Sequence, residues 1–203
     1  MAQKPKKSHR QAQKEDTKRI ILDSAYVLFA KKGYSKTTMR SLAEQAGVGL
    51  GTIFKHFPDK STLLVAAFQE DLSKIIQNSF NSLPESGLKD QLLHITKNIF
   101  VFYAKNPSFS RTLIKETIFL EGEHGEILGN QVMVFLNEIS ELIKKAIRNG
   151  ELEIDVDPEY GALTFWSFYF MALLDGLRKP SFSIDTQLQL LETLIINHFY
   201  HKK

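Results

Sequence analysis

Residues 37–60 of this 203-residue chain read TTMRSLAEQAGVGLGTIFKHFPDK, and this stretch decides the fold. Its apolar side chains recur at helical spacing and predict the buried face of a short first helix: Met39, Leu42 and Ala43. Gly47 ends that helix, because glycine readily adopts the positive φ that a tight corner requires. A second short helix over residues 49–56 follows, and two short helices joined in this way predict a helix-turn-helix.

Polar and basic side chains flank the two helices where a DNA backbone would pass. Thr37 and Thr38 precede the first helix, where they supply its N-cap and stand as phosphate partners. Lys55, His56 and Lys60 lie at the end of the second helix and are the phosphate partners there. The second helix of such a motif lies in the major groove with its first turns against base edges. The segment therefore predicts a DNA-reading surface.

The charge distribution agrees with a DNA-binding N-terminal part. Residues 1–60 carry 13 lysine and arginine residues against 5 acidic residues, a balance of +8, whereas the remainder has a balance of −5. A solvated tail accounts for the basic residues up to residue 15, but it explains several later ones less well: Lys31, Lys32, Lys36, Arg40, Lys55 and Lys60. A basic N-terminal part followed by an acidic remainder predicts that the N-terminal part binds a polyanion.

Apolar periodicity predicts helices along the rest of the chain. The sequence lacks sustained period-two alternation and hairpin turns, so the predicted fold class is all-α with nine helices. These helices cover residues 16–32, 39–46, 49–56, 59–80, 88–105, 108–119, 126–148, 158–177 and 184–200. We expect a basic, disordered tail over residues 1–16, a DNA-binding domain over 17–62, and a ligand-binding and dimerisation domain over 63–203.

The helix-turn-helix stretch has a specific family likeness. Residues 37–60, with the preceding segment from Phe29 to Tyr34 (FAKKGY), closely resemble the DNA-binding signature of TetR-family transcriptional regulators. The resemblance covers about residues 16–65 in detail, and the rest of the chain matches only in the number and length of its helices.

The resemblance assigns roles to individual residues on both sides of the motif. It implies that Thr38 caps the first helix and, with Thr37, contacts phosphate, and that His56 and Lys60 hold the DNA backbone. Arg40 is expected to reach a guanine edge, which is the commonest specific contact. Three residues at the head of the second helix are expected to face the groove: Leu50, Gly51 and Thr52.

Two positions depart from the family pattern. Gly49 stands where the family often has Ser or Thr, and glycine is a weaker cap. Phe54 stands where the family usually has Tyr and lacks the hydroxyl that would bind a phosphate. Polar base readers are therefore scarce, and readout is expected to depend on Arg40, Thr52, Lys55 and contacts with thymine methyl groups, or else the sequence preference is modest.

The composition argues against several other classes of protein. The absence of cysteine excludes disulfide scaffolds, thiol nucleophiles and thiolate metal sites. Neither a Gly-x-Ser-x-Gly elbow nor a His-Glu-x-x-His helix occurs, so no enzyme, metal or cofactor is expected. The longest apolar stretch, Leu163 to Leu174, is too short to span a bilayer, and no secretory signal is evident. These features predict a soluble cytoplasmic protein.

Aromatic residues are concentrated in the C-terminal half. The segment from Phe165 to Phe170 (FWSFYF) places rings on every side of one predicted helix, which indicates burial on more than one face. Such a helix either packs tightly in a core or lines a ligand cavity. The candidate cavity residues are His94, Phe100, Tyr103, Phe109, Phe119, Trp166 and Tyr169.

Together these features predict a homodimeric repressor that binds a pseudo-palindromic double-stranded DNA operator and is released by a small apolar or aromatic effector. The predicted helices 158–177 and 184–200 carry more apolar surface than one subunit needs, so we expect them to form the four-helix bundle of the dimer. Two alternatives stay open. One is a helical protein-interaction module whose basic patch is incidental, and the other is a small-molecule enzyme that uses the aromatic cavity.

Overall fold

The computed structural model describes residues 9–153 and 155–200, and within them every regular element is a helix. The elements are α1 (His9–Lys32), α2 (Met39–Ala46), α3 (Leu50–His56), α4 (Lys60–Asn81), α5 (Leu88–Ala104), α6 (Pro107–Ile118), α7 (Gly122–Arg148), α8 (Pro158–Arg178) and α9 (Ile184–Ile195), which continues as a π-helical turn over Ile196–Tyr200. The prediction of an all-α fold with nine helices is confirmed. Across the described ranges, no helix combines the length and apolar character that crossing a bilayer demands.

The first helix is longer than the sequence analysis predicts. α1 begins at His9 rather than near residue 16, so the expectation of a disordered tail is wrong for residues 9–16. The reason is local, because residues 10–16 (RQAQKED) contain no glycine or proline and are mostly good helix formers. Residues 1–8 of that predicted tail lie outside the described residues.

The helices form two compact units, one of residues 9–70 with 115–120 and one of residues 71–114 with 121–200. The predicted domain boundary at residue 62 falls inside α4, which contributes to both units. The core of the first unit consists of buried apolar side chains from α1 to α4: Ile21, Ala25, Phe29, Leu42, Ile53, Leu63 and Leu64. These contacts fix the positions of the two short helices of the motif.

Stacked and edge-on aromatic rings form the centre of the second unit. Phe135 on α7 is only 3% exposed, and its ring centroid lies 5.6 Å from Trp166 and 6.4 Å from both Phe165 and Tyr169 on α8. The Phe135 ring also meets Phe80 of α4 edge-on at 5.8 Å. Phe165 and Tyr169 of the aromatic segment of α8 are thus buried core residues, whereas Trp166, Phe168 and Phe170 are half-buried.

Hydrogen bonds and an ion pair connect Glu151 and the C-terminal helix to the start of α5. The Glu151 carboxylate accepts a hydrogen bond from the backbone N–H of Leu88 at 2.7 Å and another from the Tyr200 hydroxyl. Burial and this bond to Glu151 raise the pKa of the Tyr200 phenol. The Lys89 ammonium pairs with Glu192 at 2.6 Å. The carboxylate thus caps α5 from outside the helix.

Candidate nucleic-acid interface

The start of α2 is fixed by a reciprocal cap. Thr38 has extended backbone (φ −117°, ψ 156°), and its hydroxyl accepts a hydrogen bond from the Ser41 N–H at 3.1 Å. The Ser41 hydroxyl oxygen in turn accepts from the Thr38 N–H at 3.0 Å. Two otherwise unpaired donors are satisfied in this way, which defines the entry of the first helix of the motif.

The corner between α2 and α3 requires glycine. Gly47 has φ 65° and ψ 28°, a left-handed conformation that other residues rarely adopt. Its N–H donates to Glu44 O at 3.2 Å, and the N–H of Val48 donates to Ala43 O at 3.1 Å. The last carbonyls of α2 are thereby satisfied, and the chain turns directly into α3.

α3 presents one buried and one exposed face. Ile53 is fully buried and anchors the helix to the core. The side chains of Leu50 and Phe54, one helical turn apart, are 41% and 48% exposed, which is unusual for large apolar groups. Lys55 is exposed beside them, and Arg40 is exposed on α2.

The remaining predicted groove residues lie on the same short helix. Gly49 is the N-cap of α3 and makes no side-chain cap, and both it and Gly51 are exposed. Thr52 is half-buried. The head of α3 therefore offers a small apolar surface with few polar groups, and Arg40 and Lys55 are the nearby charged candidates.

Two predicted phosphate contacts do not have free side chains. Thr37 is fully buried and its hydroxyl donates to Gly33 O at 2.8 Å, so the prediction that this side chain contacts phosphate is wrong. The Lys60 ammonium donates to the carbonyls of Tyr34 and Thr37, both at 3.0 Å, and lies 4.1 Å from the centroid of the Tyr34 ring. Lys60 thus holds the turn between α1 and α2 with two of its three donors, and its expected contact with the DNA backbone stays a prediction.

Two lysines on α1 extend the basic surface beyond the predicted residues. Burial, followed by the nearby charges of Lys14 and Lys18, lowers the pKa of His56 below its usual value. The Lys18 ammonium lies 6.0 Å from the centroid of the Phe57 ring. Arg10 stands one further turn along α1, at the same four-residue spacing as Lys14 and Lys18. Arg10 and Lys14 fall in the segment predicted as a disordered tail, whereas Lys18 lies in the predicted first helix, where no sequence pattern singles it out.

The candidate cavity residues fall into two groups in the structure. Phe100, Tyr103 and Tyr169 are buried, with stacked rings of Phe100 and Tyr169 at 5.8 Å and a hydrogen bond between the two tyrosines. Burial is the main cause that raises the pKa of both phenols. Trp166 packs against Tyr169 at 5.4 Å. Phe100, Tyr103 and Tyr169 are therefore core residues, and Trp166 is half-buried against them.

The other three candidates stand apart from that core. The Nε2 atom of His94 is hydrogen-bonded to Ser82 Oγ at 3.1 Å and to Asn98 Nδ2 at 3.2 Å. Phe109 is half-buried near the start of α6. Phe119 is 88% exposed, so the prediction that it lines an enclosed cavity is wrong.

A capped short helix, a left-handed glycine corner and a second helix with an exposed face define a helix-turn-helix protein of the DNA-binding class. Residues 21–67 match the family model described as bacterial regulatory proteins of the tetR family. The resemblance of the N-terminal segment to the DNA-binding part of TetR-family transcriptional regulators is thereby confirmed.

Curated relatives are also transcriptional regulators, and a solved structure shares the fold. The transcriptional repressor KstR of Mycobacterium tuberculosis is 28% identical over 142 residues, which cover 70% of this chain and 62% of that relative. The chain thus spans less than two thirds of it. The regulator SrpR of Pseudomonas putida is 26% identical over 91% of this chain and 84% of its own length. The crystal structure of a TetR-family regulator from Pectobacterium atrosepticum has the same fold, with a TM-score of 0.72 and 18% identity over 97% of this chain and all of its own.

Proposed function

We propose that this protein is a cytoplasmic, ligand-responsive repressor that binds a pseudo-palindromic DNA operator as a homodimer and is released by a small effector. The observation that carries the proposal is the geometry of α2 and α3. The Thr38 cap and the Gly47 corner fix α3 so that Leu50 and Phe54 are exposed at its surface beside the charge of Lys55. An exposed short helix with this flanking charge fits the major groove.

A two-fold dimer is supported by apolar groups on the outer faces of α8 and α9. Tyr160 is 72% exposed, Leu163 49% and Met171 57% on α8, and Leu190 is 37% exposed on α9. Pairing these faces with those of a second copy would bury them in a four-helix bundle, which keeps the proposed interface at helices 158–177 and 184–200. Two recognition helices would then be presented to successive major grooves about 34–36 Å apart.

The effector is proposed to be a small molecule with an apolar or aromatic body. The regulator FadR of Bacillus subtilis, which shares the fold at 19% identity and a TM-score of 0.67, was crystallised in complex with stearoyl-CoA. That likeness shows the fold alone, so the ligand of this chain has to be argued from its own residues. An effector releases DNA only to the extent that it binds the free protein more tightly than the DNA-bound protein.

The proposal is tested by fluorescence anisotropy on DNA from the upstream region of the chain's own gene, with scrambled DNA as competitor, across a salt series. We expect at least about a thousandfold preference for the specific site. Arg40→Ala should weaken specific binding by about tenfold to a hundredfold and relax specificity at one base position. Arg148→Ala, which removes an exposed arginine from α7, is the matched control and should change neither. Equal affinity for both DNAs that vanishes with salt would contradict the proposal.

The depressed pKa of His56 gives DNA binding a pH dependence. His56 is neutral at pH 7 in the free protein, because burial, Lys14 and Lys18 lower its pKa below 6.5. A nearby phosphate favours the imidazolium, so DNA binding takes up a proton. Affinity should therefore rise as the pH falls from the pKa of the DNA-bound imidazole to the lowered pKa of the free one, by up to about tenfold for each unit by which DNA raises the pKa. Anisotropy between pH 7.5 and 5.5 measures this gain. His56→Gln should abolish the gain and His94→Gln should keep it, and a pH-independent wild type would refute the assignment.

A further inference from the structure

The second unit contains an open groove between α4 and α7 whose floor borders its aromatic core. The groove has a volume of about 580 Å³, within the range of small-molecule sites. Its walls are one face of each helix, at three- and four-residue spacing, and two contacts hold the helices on either side of it. Gln131 donates a hydrogen bond to Ser73 Oγ at 2.7 Å, and the rings of Phe80 and Phe135 meet edge-on.

The floor of the groove is apolar and partly aromatic. Ile76 and Phe80 of α4 face Ile127 and Phe135 of α7, and Phe135 is almost fully buried. Val134 is 61% exposed, an apolar group that lines the groove in contact with water. Covering these side chains with the body of a ligand would remove apolar surface from water, which favours binding.

The charge in the lining of the groove is negative. Gln77 and Asn130 contribute neutral amides at the exposed rim, and among the described residues that line the groove Glu138 alone is charged. A ligand carboxylate or phosphate seated on this floor would be repelled by Glu138 and would find no cation in the lining. An ammonium or phosphonium group would instead be attracted to the carboxylate and to the faces of the nearby rings.

We propose that the α4–α7 groove binds an organic cation, a molecule with an apolar or aromatic body and one positive charge that faces Glu138. This inference rests on the proposed function, since it names the chemical class of the effector. The neutral amides of Gln77 and Asn130 hydrogen-bond polar substituents, while the apolar floor holds the body. Glu138 thus determines specificity by charge, because the other lining groups accept either sign.

The test uses two probes of nearly equal size and shape but opposite charge, tetraphenylphosphonium and tetraphenylborate. Calorimetric titration of the full-length protein without DNA should show the cation binding about tenfold more tightly than the anion. Because Trp166 is the only tryptophan and its ring lies 5.6 Å from that of Phe135, its fluorescence should change as the groove fills. Equal affinities, or tighter binding of the borate, would overturn the proposal.

Variants locate the charge preference in the groove. Glu138→Gln should weaken phosphonium binding by roughly fivefold, the scale of one partly exposed ion pair. Glu126→Gln, which neutralises an exposed carboxylate on the same helix outside the lining, is the matched control and should leave binding unchanged. Val134→Lys adds a cation to the wall at an exposed position and should reverse the preference towards the borate. If Glu138→Gln and Glu126→Gln behave alike, the proposal fails.

A separate measurement distinguishes this inference from the proposed function. Anisotropy on operator DNA, with and without tetraphenylphosphonium, should show weaker DNA binding in the presence of the cation. If the cation binds in a Glu138-dependent manner but the wild type shows no specific DNA binding, the groove assignment stands and the repressor proposal fails. If DNA binding is specific and the cation leaves it unchanged, the groove is not the effector site, and the inference that the effector is an organic cation bound there is overturned.

Discussion

Replacing Phe135 by alanine is expected to lower the free energy of unfolding by about 4 kcal/mol, the largest effect that we expect from a single substitution. The side chain is 3% exposed and its ring meets those of Phe80, Trp166 and Tyr169. Alanine would forfeit the burial of the ring and leave a cavity that helices from both sides cannot fill without moving.

Urea unfolding followed by the fluorescence of Trp166 measures this change at the place where it occurs. Phe119→Ala is the matched control, because it removes the same ring from a position that is 88% exposed, and it should change stability by less than about 0.5 kcal/mol. A loss below about 1 kcal/mol for Phe135→Ala would show that the ring is not central to the core.

Lys60→Met is expected to lower the free energy of unfolding by about 2 kcal/mol. Methionine keeps the unbranched stem but removes the ammonium, so the carbonyls of Tyr34 and Thr37 lose a charged donor at 3.0 Å and the Tyr34 ring loses its cation. The turn that leads into the cap of α2 is then less firmly held, and DNA affinity should fall with it.

The salt dependence of DNA binding distinguishes this role from a direct phosphate contact. Removing a lysine that contacts phosphate lowers the slope of affinity against salt by about one, whereas Lys60→Met should weaken binding without changing that slope. Lys97→Met, which removes an exposed ammonium from α5, serves as the control for stability and for binding. Unchanged stability together with a reduced slope of DNA affinity against salt would show instead that Lys60 contacts a phosphate directly.

The helices were predictable because their limits are encoded locally. Gly47 marks a helix end and Pro158 a helix start through their own backbone preferences, independently of distant residues. The spacing of apolar residues between such positions then determines which face of each helix is buried. The exception is the start of α1, where no punctuating residue separates the predicted tail from the helix. The charge pattern there is typical of a solvated tail, but the residues themselves favour a helix.

The roles of individual side chains were less predictable, because they depend on tertiary contacts. Thr37 and Thr38 are adjacent and chemically identical, yet one is a buried donor to Gly33 and the other is the exposed cap of α2. Nothing in the local pattern separates them. Lys60 likewise has the composition of a phosphate contact, and only the fold brings it onto the carbonyls of the residues before α2.

The aromatic segment of α8 illustrates a further limit of sequence reasoning. A run of rings is compatible with a cavity or with a packed core, and Phe165 and Tyr169 belong to the packed core because neighbouring rings lie against them. The α4–α7 groove is lined instead by isoleucines, amides and Glu138, a mixture with no distinctive pattern in the sequence. Its position depends on how two distant helices approach each other.

The two glycines at the head of α3 leave the reading surface open to evolutionary change. A β-carbon added at Gly51 would meet no atom within 4 Å, and one at Gly49 would meet only the Thr52 hydroxyl at 3.8 Å. Neither glycine has a positive φ, so neither is required by the backbone. New side chains at these positions can therefore alter which operator is bound without compromising the fold, and paralogues with different targets are accessible by single substitutions.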